Sequence, residues 1–412
     1  MHRMTSSLRE CSLEETLAKA QAIAPQLGIT RVTDTTWLDR VGIPVYASIR
    51  PSAQNGSLCV NAGKGLRPAE ARVGAYMEAI EFAAAEFRSE DWDLVFLSAS
   101  EIAGQRTARF DFIDLCPLLG RKASADEKLP CVAATDFATG EQVYVPAELV
   151  FAPFYGPRGP RLFGSSSNGL SSGNTALEAT VHGLAELLER DVHAFHLIRD
   201  TSRAVDLDTV SGHVAELVRR ARSADLEVVL RTSANDFGLP FFQAYMLEQD
   251  DTAPVAIAFG AGLHTSRDIA AVRAIAEAAQ SRLSHIHGGR DDIIERHNYF
   301  DKAARKAEAE ATAQLRAKVS DRDGVLSMSD VPDESGEVDS IAAAGALLRD
   351  RAARVGVEQL LTVDLTPVTG SGLHVVRVLA PGLESFQHDL QRVGRRLAAH
   401  ASAMDRVEET VA

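Results

Sequence analysis

The stretch GNTALEATVHGLAELLERDVHAF, Gly173 to Phe195, decides how the rest of the chain is read. Its apolar residues recur at helical spacing, with Leu177, Val181, Leu184, Leu187 and Leu188 on one side. At about 100° per residue, Glu178, Glu186 and Glu189 fall within roughly an 80° arc on the other side. Asn174 and His182 flank or enter that stripe. The ordinary explanation is an amphipathic helix with its polar face in water. A solvated face usually interleaves Lys with Glu at i, i+4, however, and here the only basic partner is Arg190.

The same spacing occurs earlier in the chain. Gly65, Glu70, Glu78 and Glu81 precede Gly173, Glu178, Glu186 and Glu189 by 108 residues in every case. A weaker third copy runs from the loop around His264 to Glu277 and Gln280, again three apart. Such self-similarity suggests pseudo-symmetric units, each a glycine loop followed by a helix. The first copy, ARVGAYMEAIEFAAAEF (71–87), is apolar almost all round, which is the mark of a buried helix. Glu78 and Glu81 then lie in an interior, on a face with Gly74 and Ala85, which leave space. Unpaired carboxylates are not buried without a cation, and the local sequence offers none. A divalent metal is the natural neutraliser. Oxygen ligands without a His or Cys cluster favour Mg²⁺ over zinc. Mg²⁺ held by a few carboxylates completes its shell with water and nucleotide phosphates, which points to ATP. Yet no GxxxxGK[ST] is present, since Lys64 in NAGKG lacks the upstream Gly and the following Ser or Thr, and no GxGxxG follows a strand. The nucleotide site is expected to be of a less common kind.

The remainder of the chain sets the frame. Its 412 residues are 45% hydrophobic and 24% charged, enough for a large core. A net charge of -14 argues against whole-chain attraction to nucleic acid or to an anionic membrane. No run approaches the roughly 20 apolar residues that span a bilayer. Cys11, Cys59, Cys116 and Cys131 show no CxxC spacing, and Cys59, Cys116 and Cys131 read as small buried residues. The expected location is the cytoplasm. Ser12 and Glu15 open a capped helix over 12–27. Pro68 starts another that runs to about residue 88. Residues 143–153 read as strand, turn and strand, 267–287 as a helix, and Glu384 to Met404 as the last helix. The charged segment 301–345 reads as a surface helix or insert. Strands and helices mix throughout, so the class is α/β or α+β, mixed sheets flanked by helices. An N-terminal helical segment, 1–29, precedes a single domain over 30–412.

Three spaced motifs resemble the YcaO family over roughly residues 30 to 395. They are GKGLRPAEARVGAYMEAIE (63–81), SNGLSSGNTALEATVHGLAELLERD (167–191) and GAGLHTSRDIAAVRAIAEAAQSRL (260–283). VDLT and LAPGLE near the end also fit. The resemblance implies a site for ATP and Mg²⁺ between these helices without a P-loop. It implies phosphorylation of a peptide amide oxygen, followed by attack at the amide carbon. A neighbouring Cys, Ser or Thr then gives an azoline, and sulfide gives a thioamide. Carried over by position, Glu78, Glu81, Glu186 and Glu189 hold Mg²⁺ and the phosphates. Ser171, Asn174, Glu178, Arg190, Gln280 and Lys64 line the nucleotide site. Arg190, Gln280 and Arg282 serve the transferring phosphate, where charge stabilisation is needed.

The sequence departs from the family pattern at Gly74, Phe82 and Asn61, where Ser, Arg and Ser are common. DRVEETVA (405–412) lacks the proline-rich tail of azoline-forming members. Recognition of a precursor peptide is therefore expected to involve a separate partner, TfuA-type or leader-peptide-binding, or this domain itself, with homodimerisation left open. The segment from Arg31 to Gly65 looks most like members that work beside a TfuA-type partner. Two other readings stay in view: an accessory factor for ribosomal-protein methylthiolation, and a non-catalytic partner-binding scaffold.

Overall fold

Three strands of this chain each end a sheet and turn almost at once into a long helix, and the fold is organised around them. The computed structural model describes the chain except residues 125–126, 158, 160, 291–301 and 412, and the side chains of 302–305 and 404–411.

A short hairpin, β1 (His2–Arg3) and β2 (Leu8–Arg9), precedes α1 (Leu13–Ile23). The predicted capping box is formed: Ser12 Oγ accepts from the Glu15 amide at 3.2 Å, and the Glu15 carboxylate accepts from the Ser12 amide at 2.9 Å. The helix ends at Ile23 and tightens into a 3-10 turn containing Pro25, which cannot donate to an α-helical ladder. β3 (Arg31–Asp34), β4 (Val45–Ile49) and β5 (Val60–Lys64) form an antiparallel sheet with β5 at one edge. β5 leads into α2 (Pro68–Ala85). β6 (Val95–Ser98) is followed by α3 (Ala99–Ala103), β7 (Lys128–Asp136), β8 (Gln142–Pro146) and β9 (Leu170–Gly173), which leads into α4 (Ala176–Ile198). β10 (Arg203–Ala204), α5 (Gly212–Ser223), β11 (Glu227–Thr232), β12 (Phe241–Leu247) and β13 (Ile257–Leu263) come next, and β13 leads into α6 (Arg267–His287). The chain closes with α7 (Lys302–Val319), α8 (Ile341–Ala353), β14 (Leu361–Asp364), β15 (His374–Leu379) and α9 (Arg395–Val411).

The second sheet runs β6-β7-β14-β15-β9, with β8 also paired to β7, and the third runs β10-β11-β12-β13. β9 and β13, like β5, are edge strands. Ile80, Val132, Phe151 and Phe163 bury one core against the second sheet. Leu217, Leu230, Phe242 and Ile275 bury another between the third sheet, α5 and α6. Leu184, Leu188, Phe241 and Val378 fill the space around α4 between these sheets.

Small residues set how closely each helix lies on its strand. A Cβ at Gly63 would overlap the Ala71 carbonyl and the Ala75 amide of α2. A Cβ at Gly262 would overlap the Ala270 carbonyl and the Ala274 amide of α6. The two sets are equivalent, each offset by 199 residues. In the α4 unit, offset from the first by 108, the strand residue is Ser171, and its hydroxyl donates to the Ala179 carbonyl at 2.8 Å. The helix residue opposite is Gly183 where the other units have Ala75 and Ala274. Its missing Cβ leaves the room that Ser171 Oγ needs. The weak third copy seen in the sequence is thus a third structural unit.

Some expectations are corrected. Residues 147–149 form a 3-10 turn, and 150–153 form no strand. The last helix spans Arg395–Val411 rather than starting at Glu384, because the Glu384 side chain instead accepts from the Gly394 and Leu397 amides ahead of and within that helix. In the charged segment, α7 is largely exposed, while α8 begins at a buried Ile341; residue 301 lies outside the described residues. Among the described residues, no helix is long and apolar enough to cross a membrane.

Candidate functional site

A cavity of about 430 Å³ opens where the three strand–helix units meet. α2 contributes Glu78 and Glu81, α4 contributes Glu178, His182, Glu186, Glu189 and Arg190, and α6 contributes Arg273, Glu277 and Gln280. Lys64 and Ser172 reach it from the ends of β5 and β9. Glu78, Glu186 and Glu277 are equivalent positions of the three units, as are Glu81, Glu189 and Gln280. The units are cross-linked in a ring. Lys64 Nζ of the first lies 2.9 Å from Glu277 Oε2 and 2.9 Å from Gln280 Oε1 of the third. Ser172 Oγ of the second donates to Glu81 of the first. The Leu263 amide of the third donates to Glu189 of the second at 3.0 Å. Lys64, Ser172 and Leu263 are themselves equivalent. Each strand end therefore holds one or both members of the acidic or amide pair of a neighbouring unit.

The carboxylates are not alike. Glu277 has Lys64, Glu178 has Arg9 at 3.1 Å, and Glu189 has Arg190 at 3.6 Å. Glu78, Glu81 and Glu186 have no cation within ion-pair distance among the described residues. Enclosure by the protein pushes Glu78 up to about 7 and Glu81 up to about 8, and raises Glu186. Burial opposes the charge of Glu277 too, but Lys64 and Arg190 outweigh it and hold that carboxyl below its ordinary value. His182 is kept neutral by burial and by Arg9 and Arg273 facing it. Its Nε2 lies 3.4 Å from Arg273 Nη1. His264 closes its own loop, its Nδ1 accepting from the Ser266 amide at 3.0 Å.

The N-terminal hairpin, which the sequence did not reveal, covers one side. The Thr5 amide donates to Glu70 at 3.0 Å, and the Glu10 amide donates to Glu178 at 2.9 Å. Glu70 and Glu178 are again equivalent positions.

Among the residues singled out from the sequence, Glu78, Glu81, Glu178, Glu186, Glu189, Arg190, Gln280 and Lys64 all line this cavity. Asn174 lies behind Glu178, where its Oδ1 accepts from Lys19 at 3.1 Å. Ser171 and Arg282 do not line it. Ser171 turns to the α4 backbone, and the next residue, Ser172, takes the inward position. Arg282 is buried on the far side of α6, bound to Asp39 at 2.9 Å, Glu248 at 2.7 Å and the Val255 carbonyl at 3.1 Å. Glu70, Ser172, Arg273 and Glu277 belong to the cavity and were not assigned to it beforehand. Glu277 carried a signal, as the partner of Gln280 in the third copy.

Among the described residues, no three acidic, His or Cys side chains already converge as a ready-made metal ligand set. Among the described residues, Glu78 and Glu81 of α2 and Glu186 of α4 are carboxylates with raised proton affinity and no cation within ion-pair distance. That donor set fits Mg²⁺, which takes a few carboxylates and completes its shell with water and phosphate oxygens.

A family model described as YcaO cyclodehydratase, ATP- and Mg²⁺-binding, matches residues 62–384. This chain belongs to the YcaO family. A Methanothermobacter thermautotrophicus protein is 35% identical over 379 residues, covering 90% of this chain and 94% of its own. A protein from the tfuA 3′ region of Rhizobium leguminosarum bv. trifolii is 33% identical over 380 residues, covering 88% and 86%. The structure of YcaO from Methanopyrus kandleri bound with AMPPCP and Mg²⁺ superposes with a TM-score of 0.73 at 27% identity, covering 95% of this chain and 96% of that one. The cofactors of this YcaO chain are accordingly ATP and Mg²⁺.

Proposed function

We propose that this YcaO chain uses ATP and Mg²⁺ to activate a backbone amide of a ribosomally made peptide, and that the activated carbon takes sulfide to give a thioamide. Azoline formation by a neighbouring Cys, Ser or Thr is the other outcome open to the same activation. The observation that carries the reading is the set Glu78, Glu81 and Glu186, three carboxylates facing one cavity with no cation within ion-pair distance among the described residues. Its volume of about 430 Å³ is within the range of small-molecule sites. The tfuA-region relative and the resemblance of Arg31–Gly65 to TfuA-associated members support a TfuA-type partner, and sulfide as the nucleophile is part of this proposal.

In this mechanism the amide oxygen takes the γ-phosphoryl group of ATP and ADP departs. Sulfide then adds to the carbon, and the C–O bond breaks as phosphate leaves. Glu78, Glu81, Glu186 and Glu189 would hold Mg²⁺, which neutralises phosphate charge. Arg190, Lys64 and Gln280 face the same space and orient the phosphates, with Arg273 as a further cation. Glu178, with Asn174 behind it, would line the nucleotide site. Ser171 and Arg282 have no part in these steps, since packing and a buried ion-pair cluster already occupy them.

Co-expression with a candidate precursor and its partner, read by mass spectrometry, tests the proposal. Exchange of oxygen for sulfur adds mass, whereas cyclodehydration removes the mass of water. Isothermal titration that detects no Mg-ATP binding would sink the catalytic reading and favour a scaffold.

A further inference from the structure

Residues 5–10, in and just after the N-terminal hairpin, reach all three strand–helix units at one equivalent position of each helix. Glu178 of α4 and Ile269 of α6 stand at offsets of 108 and 199 residues from Glu70 of α2. The Thr5 amide donates to Glu70 at 3.0 Å, and the Thr5 hydroxyl donates to the same carboxylate. Arg9 pairs with Glu178 at 3.1 Å, and the Glu10 amide donates to it at 2.9 Å. Leu8, only 8% exposed, packs in an apolar cluster with Ile269 and with Ile341 and Ala344 of α8. The chemistry follows the position: donors meet the two carboxylates, and an aliphatic side chain meets the isoleucine.

Between these anchors the turn of the hairpin lies against the cavity. The Met4 amide closes that turn on the Ser7 carbonyl at 2.8 Å. Met4, Ser6, Ser7 and Arg9 line the cavity together with the carboxylates, whereas Leu8 does not line it. The two strands of the hairpin pair with each other and join no larger sheet. Two strands of two residues are not stable by themselves, so the hairpin keeps its shape only while it is docked. The other walls are helices packed on sheets through buried cores. The wall that can leave without unfolding its neighbours is therefore the hairpin.

We propose that the N-terminal hairpin is a lid on this cavity, latched at Glu70, Glu178 and Ile269, which opens to let Mg-ATP in and ADP out. Closed, it shields the phosphates from bulk water, so that the γ-phosphoryl group reaches the amide rather than water. Because the three latches sit on three different units, the lid closes only when those units stand together. Leu8 is the latch to alter, since it holds the lid without binding either carboxylate and without facing the nucleotide.

The lid rests on this cavity being the Mg-ATP site, and the experiment tells the two apart. Binding and release of a fluorescent, non-hydrolysable ATP analogue with Mg²⁺ are followed by stopped flow for the full chain, as wild type, L8A and L8D. In L8D the association and release rate constants should rise together, each by on the order of tenfold, the least that loss of one buried Leu corresponds to. L8A should show the same paired rise, to a smaller extent. In wild type, amide hydrogen exchange across residues 4–10 should slow when the analogue binds. If wild type binds no analogue, the site assignment itself fails, and the lid with it. If wild type binds but release alone quickens in the variants, or neither rate changes, the hairpin is a fixed part of the wall and the lid is overturned. If L8D does not fold, L8A decides by the same two rates. Exchange across residues 4–10 that the analogue leaves unchanged also overturns the lid.

Discussion

Lys64 forms a 2.9 Å ion pair with Glu277, across 213 residues of sequence. It also lies 2.9 Å from Gln280, so a single ammonium holds the acidic and amide residues that α6 presents at the positions where α2 and α4 present two glutamates. The third unit consequently draws its cation from the first. The first two share an excess of negative charge, and the proposed Mg²⁺ site lies there.

Among the candidate Mg²⁺ ligands, Glu189 accepts from the Leu263 amide at 3.0 Å, a shorter backbone hydrogen bond than that of the Gly169 amide to Glu186 at 3.3 Å. Glu189→Gln keeps an acceptor and removes the charge. It should abolish ATP hydrolysis, measured as phosphate release, with little change in Tm. Glu189→Ala should be equally inactive and less stable by about 1–3 kcal/mol, because a buried amide is orphaned. Normal phosphate release from either variant contradicts the assignment.

Stability should depend on pH in a direction set by Glu78 and Glu81. Their folded-state values of about 7 and about 8 exceed the 4.5 of an unperturbed carboxyl. The unfolded chain therefore gives up these protons first. The metal-free protein should be most stable at low values of this range and lose stability as pH rises from about 4.5 through about 8. Mg-ATP should flatten that decline, since it replaces the protons with metal. Melting curves taken across this range in EDTA and in Mg-ATP check it; identical profiles in the two conditions would count against metal at these carboxylates.

Arg282→Met should damage the fold and spare the chemistry. It removes the buried partner of Asp39 and Glu248, at a loss of about 3–5 kcal/mol for breaking such a pair. Among molecules that remain folded, kcat/KM for ATP hydrolysis should match wild type. A selective loss of kcat with unchanged Tm would return Arg282 to the reaction.

The exchange of small residues between units can be tested by swapping them. Gly183→Ala places a Cβ against Ser171 Oγ and Val378 Cγ2, and should destabilise by about 1–3 kcal/mol. Adding Ser171→Gly recreates the Gly–Ala pairing of Gly63 with Ala75 and Gly262 with Ala274, and should recover part of that loss. A double variant no more stable than Gly183→Ala would mean that Val378 alone limits the approach.

Much of this architecture can be read in the sequence because repetition supplies what a single helix does not. The stripe Glu178, Glu186, Glu189 is ambiguous by itself, and the apolar surroundings of Glu78 and Glu81 remove the ambiguity. What stayed hidden depends on facing and on long-range pairing. Ser171 and Ser172 differ by one step of a strand, and successive strand residues point to opposite faces. Arg282 stands two residues after Gln280, which turns it to the opposite side of α6. The hairpin of His2–Arg3 and Leu8–Arg9 has strands of two residues, too short for any periodicity to register.

The ring of contacts through Lys64, Ser172 and Leu263 also bears on the order in which the chain matures. Each link joins parts of the chain made far apart, the last of them only after α6 has been synthesised. Contacts of such wide sequence separation form late in folding. A partly folded or nascent chain has one or two walls and no enclosed chamber, so it has nothing with which to capture and squander ATP. The Mg-ATP site is complete only with the full tertiary structure, and nucleotide binding can serve as a direct reporter that folding has finished.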